Sequence, residues 1–236
     1  MRSEEAVLIL SGGVDSVTLL HYLLARGYVV HAVSFLYGQR HSKEIECAKY
    51  WAEKLCSSHR IYRLPRLSQK SALTNPNAKV PETHYSDESQ RATVVPARNL
   101  VFISFAVALA EELGLKEVFY AAHYNDKAVY PDCREEFVEK ISAATREGTY
   151  AGVEVRAPFV RMTKADIVNL GLKLGVDYSK TWTCYVGGER PCLKCGSCRE
   201  RAEAFLLNKT KDPLLSDSEW RRAVEICRSC GGGDGV

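Results

Sequence analysis

The sequence carries little net charge and no long apolar run. Among its 236 residues, 32 Lys and Arg stand against 29 Asp and Glu, a net charge of +3 with both signs interspersed. That balance argues only weakly for nucleic acid and requires no polyanionic partner. No apolar stretch of about 18 residues is present, so no membrane span is expected. A charged segment followed by an apolar leader is also missing at the N-terminus, and a soluble, cytoplasmic protein is expected. Two familiar phosphate-binding signatures are lacking. No lysine follows the first glycine turn in the manner of GxxxxGK[ST], and GxGxxG does not occur. Nine cysteines without a signal peptide point to metal or chemistry rather than to disulfides.

The stretch that organises the rest is AVLILSGGVDSVTLL, residues 6–20. An apolar run at 6–10 reads as a buried strand, Ser11-Gly12-Gly13 as a turn, and Val14, Val17, Leu19, Leu20, Leu23 and Leu24 as one side of a helix. Two glycines let the backbone turn its N–H groups toward one point. Asp15 and Ser16 fall in the first helical turn, where free N–H groups and the helix dipole favour an anion. The site suits phosphate or pyrophosphate, and SGGVDS resembles the signature of the PP-loop ATP pyrophosphatases.

Further along, β-branched or apolar runs at 28–35, 61–64, 117–122 and 153–157 read as strands. Periodic segments at 42–56, 100–113, 135–145 and 163–174 read as helices. Strand and helix alternate, which predicts an α/β fold with a parallel, doubly wound sheet. The strand ends carry polar loops: Tyr37, Gly38, Gln39, Arg40 and His41 after the second, and HYNDKAVYPDCR (123–134) after the fourth. Open α/β sheets bind ligands at such ends. Asp126, Asp132 and Arg134 suit metal, ribose or substrate, and equally a cap or a solvated charge. Arg98 and Asn99 stand at a helix entrance, placed either to bind or to form a salt bridge and an N-cap. Pro131 fits the first turn of the helix at 135–145, and Thr163 is expected to cap the next. Residues 67–91, rich in Ser, Asn, Pro and charge, are expected to be a mobile lid or binding loop.

Cys184, Cys192, Cys195 and Cys198 follow the spacing C-x7-C-x2-C-x2-C in a segment containing Gly and Pro. Four closely spaced thiolates are what tetrahedral zinc requires, and a closed four-cysteine site holds structure rather than catalyses. An iron–sulfur cluster uses the same ligands. Helices are expected at 199–205 and 216–230. Cys227 and Cys230 form a second CxxC, open to half of an intersubunit metal site, a redox pair or a free thiol pair. The chain divides into a nucleotide-binding domain at 1–178 and a zinc-binding helical region at 179–236.

Taken in order, SGGVDS, YGQRH, VPARN, YPDCR, APFVRMTKADIVNLGLKLGVDYSKTWTCY and PCxxCxSCxxRxxAF resemble the 7-cyano-7-deazaguanine synthases of queuosine biosynthesis, which belong to the PP-loop group. The resemblance spans residues 6–205. It implies a Rossmann-like sheet of the adenine nucleotide alpha hydrolase kind with a C-terminal four-cysteine zinc appendage. The implied reaction is ATP-dependent carbon–nitrogen ligation: 7-carboxy-7-deazaguanine is adenylated, ammonia displaces AMP to give an amide, and a second activation dehydrates the amide to the nitrile. By the same resemblance Leu10, Ser11, Gly12, Gly13, Val14, Asp15, Ser16, Val17 and Thr18 hold ATP with Mg²⁺, joined by Arg98 and Asn99. Tyr37, Gln39, Arg40, His41, Asp126, Tyr130, Asp132 and Arg134 face the substrate. Asp15, Ser16, Arg98, Asp132 and Lys164 carry the chemistry. A homodimer is implied, without nucleic acid or membrane.

Two departures bear on this. Asp126-Lys127-Ala128-Val129 replaces a Tyr-Ser-Gly segment usual before YPDCR, and Leu193 and Gly196 stand where glycine and aspartate are common. The alternative is therefore a relative that passes the same adenylate to another amine, including one on a protein. A PP-loop tRNA-modifying enzyme would share the ATP loop but would carry a larger basic surface or an RNA-binding domain. Thiolation would need a cysteine outside the metal site, such as Cys133.

Overall fold

The computed structural model describes residues 4–40 and 42–230. Within them β1 (Glu5–Ile9), β2 (Val29–Leu36), β3 (Ser58–Arg63), β4 (Glu117–Phe119) and β5 (Glu154–Arg156) form one sheet in the order β3-β2-β1-β4-β5. Every pairing is parallel. The helices are α1 (Val14–Leu24), α2 (Lys43–Leu55), α3 (Arg98–Leu113), α4 (Glu135–Gly148), α5 (Lys164–Lys173), α6 (Gly196–Leu207) and α7 (Asp217–Cys230).

The central strand shows why the sheet is wound on both sides. Ala6 and Leu8, with Leu10 just beyond the strand, join a core with α1, α2 and α5, while Val7 and Ile9 pack with α3 and the apolar side of α4. A strand covered on both faces must be apolar throughout rather than alternating, as AVLI is. Chain order reverses at β1, whose neighbours are β2 and β4. A crevice therefore opens beyond the carboxyl ends of β1 and β4.

Several boundaries differ from the sequence expectation. α3 begins at Arg98, two residues early, because Ala97 takes a left-handed conformation (φ 52°) that turns the chain straight into the helix. Asn99 therefore lies inside the first turn and is not an N-cap. The paired part of β4 stops at Phe119, and Tyr120 keeps one bond, donating its N–H to Arg156 O at 3.1 Å. Pro131 opens a separate 3₁₀ turn, Pro131–Cys133, ahead of α4. α6 starts at Gly196, so Cys198 is helical. Thr163 does cap α5: its Oγ1 accepts from Asp166 N at 3.2 Å, and Asp166 Oδ2 accepts from Thr163 N at 2.9 Å.

Residues 67–91 hold no strand or α-helix, but they are tied down. The Arg40 guanidinium donates to the carbonyls of Ala78 and Pro76 at 2.8 and 3.2 Å, and Ala72 N donates to Ala92 O at 2.7 Å. Beyond residue 178 the chain stays on the sheet domain. Trp182 N donates to Gly12 O at 3.0 Å, and Phe205 of α6 joins the core against Tyr178. Buried Arg201 fixes α6 by a two-pronged pair with Asp212 at 2.6 and 2.8 Å and by a bond to Tyr178 O. No helix among the described residues is long and apolar enough to cross a membrane.

Candidate active site

The turn after β1 is built around Gly12. Its φ is +84°, and a Cβ there would lie 2.2 Å from Glu44 O and 2.6 Å from Ala48 N of α2. The loop is thus laid directly on a neighbouring helix backbone. Gly12→Ala is expected to cost about 3 kcal/mol or more, the sum of left-handed strain and overpacking. The melting temperature should fall by roughly 6–12 °C, which thermal unfolding would measure; a fall below 2 °C would contradict this packing.

Past Gly12 the loop turns its polar atoms inward. Ser11 N donates to Ser16 Oγ at 3.2 Å, and the two hydroxyls meet at 3.0 Å. Gly13, the N-cap of α1, brings no side-chain cap, so the first-turn N–H groups remain available. They face a cavity of about 210 Å³ beyond the ends of β1, β2 and β4. Leu10, Ser11, Gly13, Asp15 and Ser16 line it. Gly12 does not, being turned to α2. Val14, Val17 and Thr18 are buried in the core, where Thr18 Oγ1 meets Tyr178 Oη at 2.8 Å.

At the phosphate-like end sits a buried charge cluster. Lys164 Nζ, at the start of α5, lies 2.5 Å from Asp15 Oδ2 and 3.5 Å from Glu200 Oε2. His123 Nε2, 2% exposed, lies 3.3 Å from Asp126 Oδ2 and 3.9 Å from Asp15 Oδ2. Burial alone would discharge these groups, but the opposite charges prevail for two of them. Asp15 is held below the usual carboxylate range by Lys164 and His123 against its desolvation. Lys164 is held above the usual lysine value by Asp15 and Glu200 against its own. For Glu200 burial wins, and its carboxyl is pushed up. Asp15 Oδ1 is buried with no hydrogen-bond partner among the described residues. An orphaned carboxylate oxygen beside a lysine and open helix N–H groups suits a metal-bearing polyphosphate.

The other end is aromatic and cationic. Phe35 and Phe102 stack at 4.2 Å. Arg98 Nη1 lies 3.5 Å from Tyr37 Oη, and its guanidinium stands 5.9 Å from the Tyr130 ring centroid. Among the described residues no carboxylate reaches Arg98 within ion-pair distance. Half-buried Glu44 shares this wall, its carboxyl pushed up to about 7 by burial against the pull of Arg98.

The structure thus gathers Tyr37, Gln39, Arg98, Asn99, Asp126, Tyr130 and Lys164 around one cavity. Gln39 also shapes its own loop, accepting from Tyr37 N at 2.8 Å and donating to Phe35 O at 3.0 Å. Three residues expected at the substrate do not line the cavity. Arg40 is turned to the 72–78 loop. Asp132 accepts from Asn99 N and Nδ2 at 2.9 and 3.2 Å, fastening the first turn of α3. Arg134 is exposed and donates to Lys127 O at 3.1 Å. His41 lies outside the described residues. Glu44, His123 and Glu200 were not among the expected site residues. The only sequence trace of Glu200 is an acid amid buried helical positions Cys198, Arg201 and Ala202.

The sulfurs of Cys184, Cys192, Cys195 and Cys198 all lie within 4.8 Å of one another, and those of Cys192 and Cys198 are 3.9 Å apart. A tetrahedron with bonds of about 2.3 Å requires sulfur separations near ~3.8 Å. Backbone N–H groups of Cys195 and Lys194 point at Cys192 Sγ at 3.3 and 3.5 Å, helped by a left-handed Leu193 (φ 64°). The cluster therefore fits one metal ion. No other such group occurs among the described residues. Cys227 Sγ instead donates to Arg199 O at 3.8 Å, and the side chain of Cys230 lies outside the described part.

Residues 5–209 match the family model described as queuosine biosynthesis protein QueC. The chain is 55% identical over 226 residues to the 7-cyano-7-deazaguanine synthase of Archaeoglobus fulgidus, covering 94% of each. It is 49% identical over 216 residues to the enzyme of the same name from Caldicellulosiruptor bescii, covering 91% of this chain and 98% of that one.

Proposed function

The chain belongs to the QueC family of queuosine biosynthesis proteins, and on that premise we propose that it makes 7-cyano-7-deazaguanine from 7-carboxy-7-deazaguanine, ammonia and ATP. The carboxylate is adenylated, ammonia displaces AMP to leave an amide, and a second activation removes the amide oxygen; AMP and pyrophosphate are released. A carboxylate resists attack because oxide leaves badly. The mixed anhydride with AMP supplies a leaving group of low basicity.

The observation that carries this reading is the pairing of the two cavity ends. At one, Ser11, Gly13, Ser16 and the α1 backbone would receive the pyrophosphate, Lys164 would neutralise it, and the Asp15 oxygen without a partner would hold Mg²⁺, which would supply further charge to offset the phosphates. At the other, Arg98 has no carboxylate of its own and receives that of the substrate, between aromatic walls that suit a flat heterocycle. Asn99 borders the same space. Asp132 acts through Asn99, fixing the helix end that aims Arg98. No nucleophilic side chain is required, since positioning and charge stabilisation suffice. Zn²⁺ bound by the four cysteines is structural, one ion per chain. The reading extends to a cytoplasmic homodimer acting on small molecules, without nucleic acid.

Mass spectrometry of products after incubation with 7-carboxy-7-deazaguanine, ATP, Mg²⁺ and ammonium tests it. The nitrile with AMP and pyrophosphate is expected. Adenylate or amide without nitrile would move the assignment to a ligase with another amine acceptor, and intact ATP would reject both.

A further inference from the structure

One carboxylate in the wall of the large cavity is left over. Asp15 and Glu200 stand against Lys164, and Asp126 against His123. Glu44 lines the same cavity at its aromatic end, yet it forms no ion pair and accepts no hydrogen bond among the described residues. Donors surround it but are turned elsewhere. Arg98 Nη1 reaches Tyr37 Oη at 3.5 Å, Tyr185 Oη meets Tyr130 Oη at 3.5 Å, and Trp182 Nε1 donates to Cys184 O at 3.1 Å. The charge of Glu44 acts on Tyr37 and Arg98 without a bond to either.

The backbone that carries Glu44 is fixed on both sides. Its carbonyl oxygen packs on the turn at Gly12, and the neighbouring Lys43 Nζ donates to Glu189 O at 2.6 Å and stands 4.6 Å from the Trp182 ring centroid. Ile45, the next residue, is buried against the same cavity. The other acid in the first turn of α2, Glu46, is exposed and accepts from Ser42 Oγ at 3.2 Å. Glu44 is thus held toward the ligand space with two acceptor oxygens that no protein group satisfies. With Arg98 on the same wall, the site complements a ligand that has an anionic group and, apart from it, an edge of N–H donors.

We propose that Glu44 is the specificity-determining residue of the substrate end, its two carboxylate oxygens accepting the exocyclic amino group and the adjacent ring N–H of a guanine-type base. The inference rests on the ligase reading above and names the group that reads the base whose carboxylate Arg98 receives. A guanine-type edge presents two donors in parallel, which match two carboxylate oxygens. An adenine edge sets one donor beside an acceptor nitrogen, and a carboxylate repels the second.

Glu44→Gln in the full-length protein tests this, because it keeps the shape of the side chain and turns one acceptor into a donor. Carboxylate-dependent ATP–pyrophosphate exchange reports adenylation. In that assay the KM for 7-carboxy-7-deazaguanine should rise at least about tenfold, while the KM for ATP stays within about twofold and the melting temperature is retained. The analogue without the 2-amino group separates base reading from a structural role. The unchanged protein should prefer the amino compound by at least about tenfold in kcat/KM, and Glu44→Gln should lose most of that preference. Equilibrium binding of 7-carboxy-7-deazaguanine without ATP should weaken in the variant by the same factor. An unchanged KM for the base, a rise confined to the KM for ATP, or a preference for the amino compound that survives the substitution would overturn the assignment. Failure of the ligase reading shows separately, as wild-type protein that binds the base more tightly than Glu44→Gln does yet catalyses no exchange.

Discussion

Lys164→Met should lower pyrophosphate exchange by at least about 100-fold and destabilise the fold by about 3–5 kcal/mol. Both effects follow from one position. Lys164 is 6% exposed and stands between Asp15 and Glu200, so its loss removes the cation common to both carboxylates and leaves only His123, 3.9 Å from Asp15, to oppose their charge. The polyphosphate would add further negative charge to the same space. Urea denaturation and exchange assays measure the two effects separately. Pairing Lys164→Met with Asp15→Asn should recover part of the stability and none of the exchange, because it relieves the charge conflict without restoring a cation.

The pH dependence has a defined sign. Asp15 is held below the ordinary carboxylate value, so its contribution to stability is present above that value and lost as pH falls through the folded pKa. Lys164 is raised above 10.5, so its contribution is full below that value and lost as pH rises through the folded pKa. The advantage of the unchanged protein over Lys164→Met should therefore fall as pH drops through the titration of Asp15 and of Glu200, whose carboxyl burial pushes up, and fall again as pH rises through the folded pKa of Lys164. A difference that grew at either extreme would contradict the assignment.

If the four-cysteine cluster holds zinc as proposed, loss of that metal should cost more than the segment that binds it. Cys184 ends a stretch that contributes Trp182 to the cavity wall, and Cys195 is the N-cap of α6, which carries Ser197 and Glu200 into the same wall. Trp182 also holds the turn after β1 through Gly12 O. Once the four thiolates separate, both connections loosen. Cys198→Ser, or exposure to a strong zinc chelator, should release one zinc per chain, lower the melting temperature by more than about 10 °C, and reduce exchange more than about tenfold. Metal analysis, thermal unfolding and exchange on the same sample check this. Zinc loss with full exchange would show that the appendage and the site are uncoupled.

How much of this was readable beforehand depends on chain distance. The strand, turn and helix at 6–20 and the four cysteines lie within short segments, so spacing alone located them. Glu200 meets Lys164 only because α6 packs on α5, and Glu44 shares a cavity wall with Arg98 only because the fold brings the ends of β1 and β2 together; no local pattern encodes either placement. Polar residues near the strand ends also make contacts that no local pattern announces. Arg40 and Asp132 have the chemistry of ligand contacts, yet the fold uses them on its own backbone, one on loop carbonyls and one on a helix end. Irregular backbone has many unsatisfied groups, and nearby charged side chains are drawn to them.

The three helices that give the cavity its main charges end differently at their N-termini. On α3, Asp132 already accepts from the first-turn N–H of Asn99, and on α5 Thr163 and Asp166 form a reciprocal cap, while α1 begins at a glycine with no side-chain cap. The first two helices thus meet a ligand with side chains alone, and the third with its backbone. An incoming molecule with one highly charged end and one flat end finds the two ends of the cavity unlike before it makes any contact. On the proposed reading, the folded chain would set the direction of insertion rather than an adjustment after binding, and little conformational freedom would remain to be lost in bringing the two substrates into line.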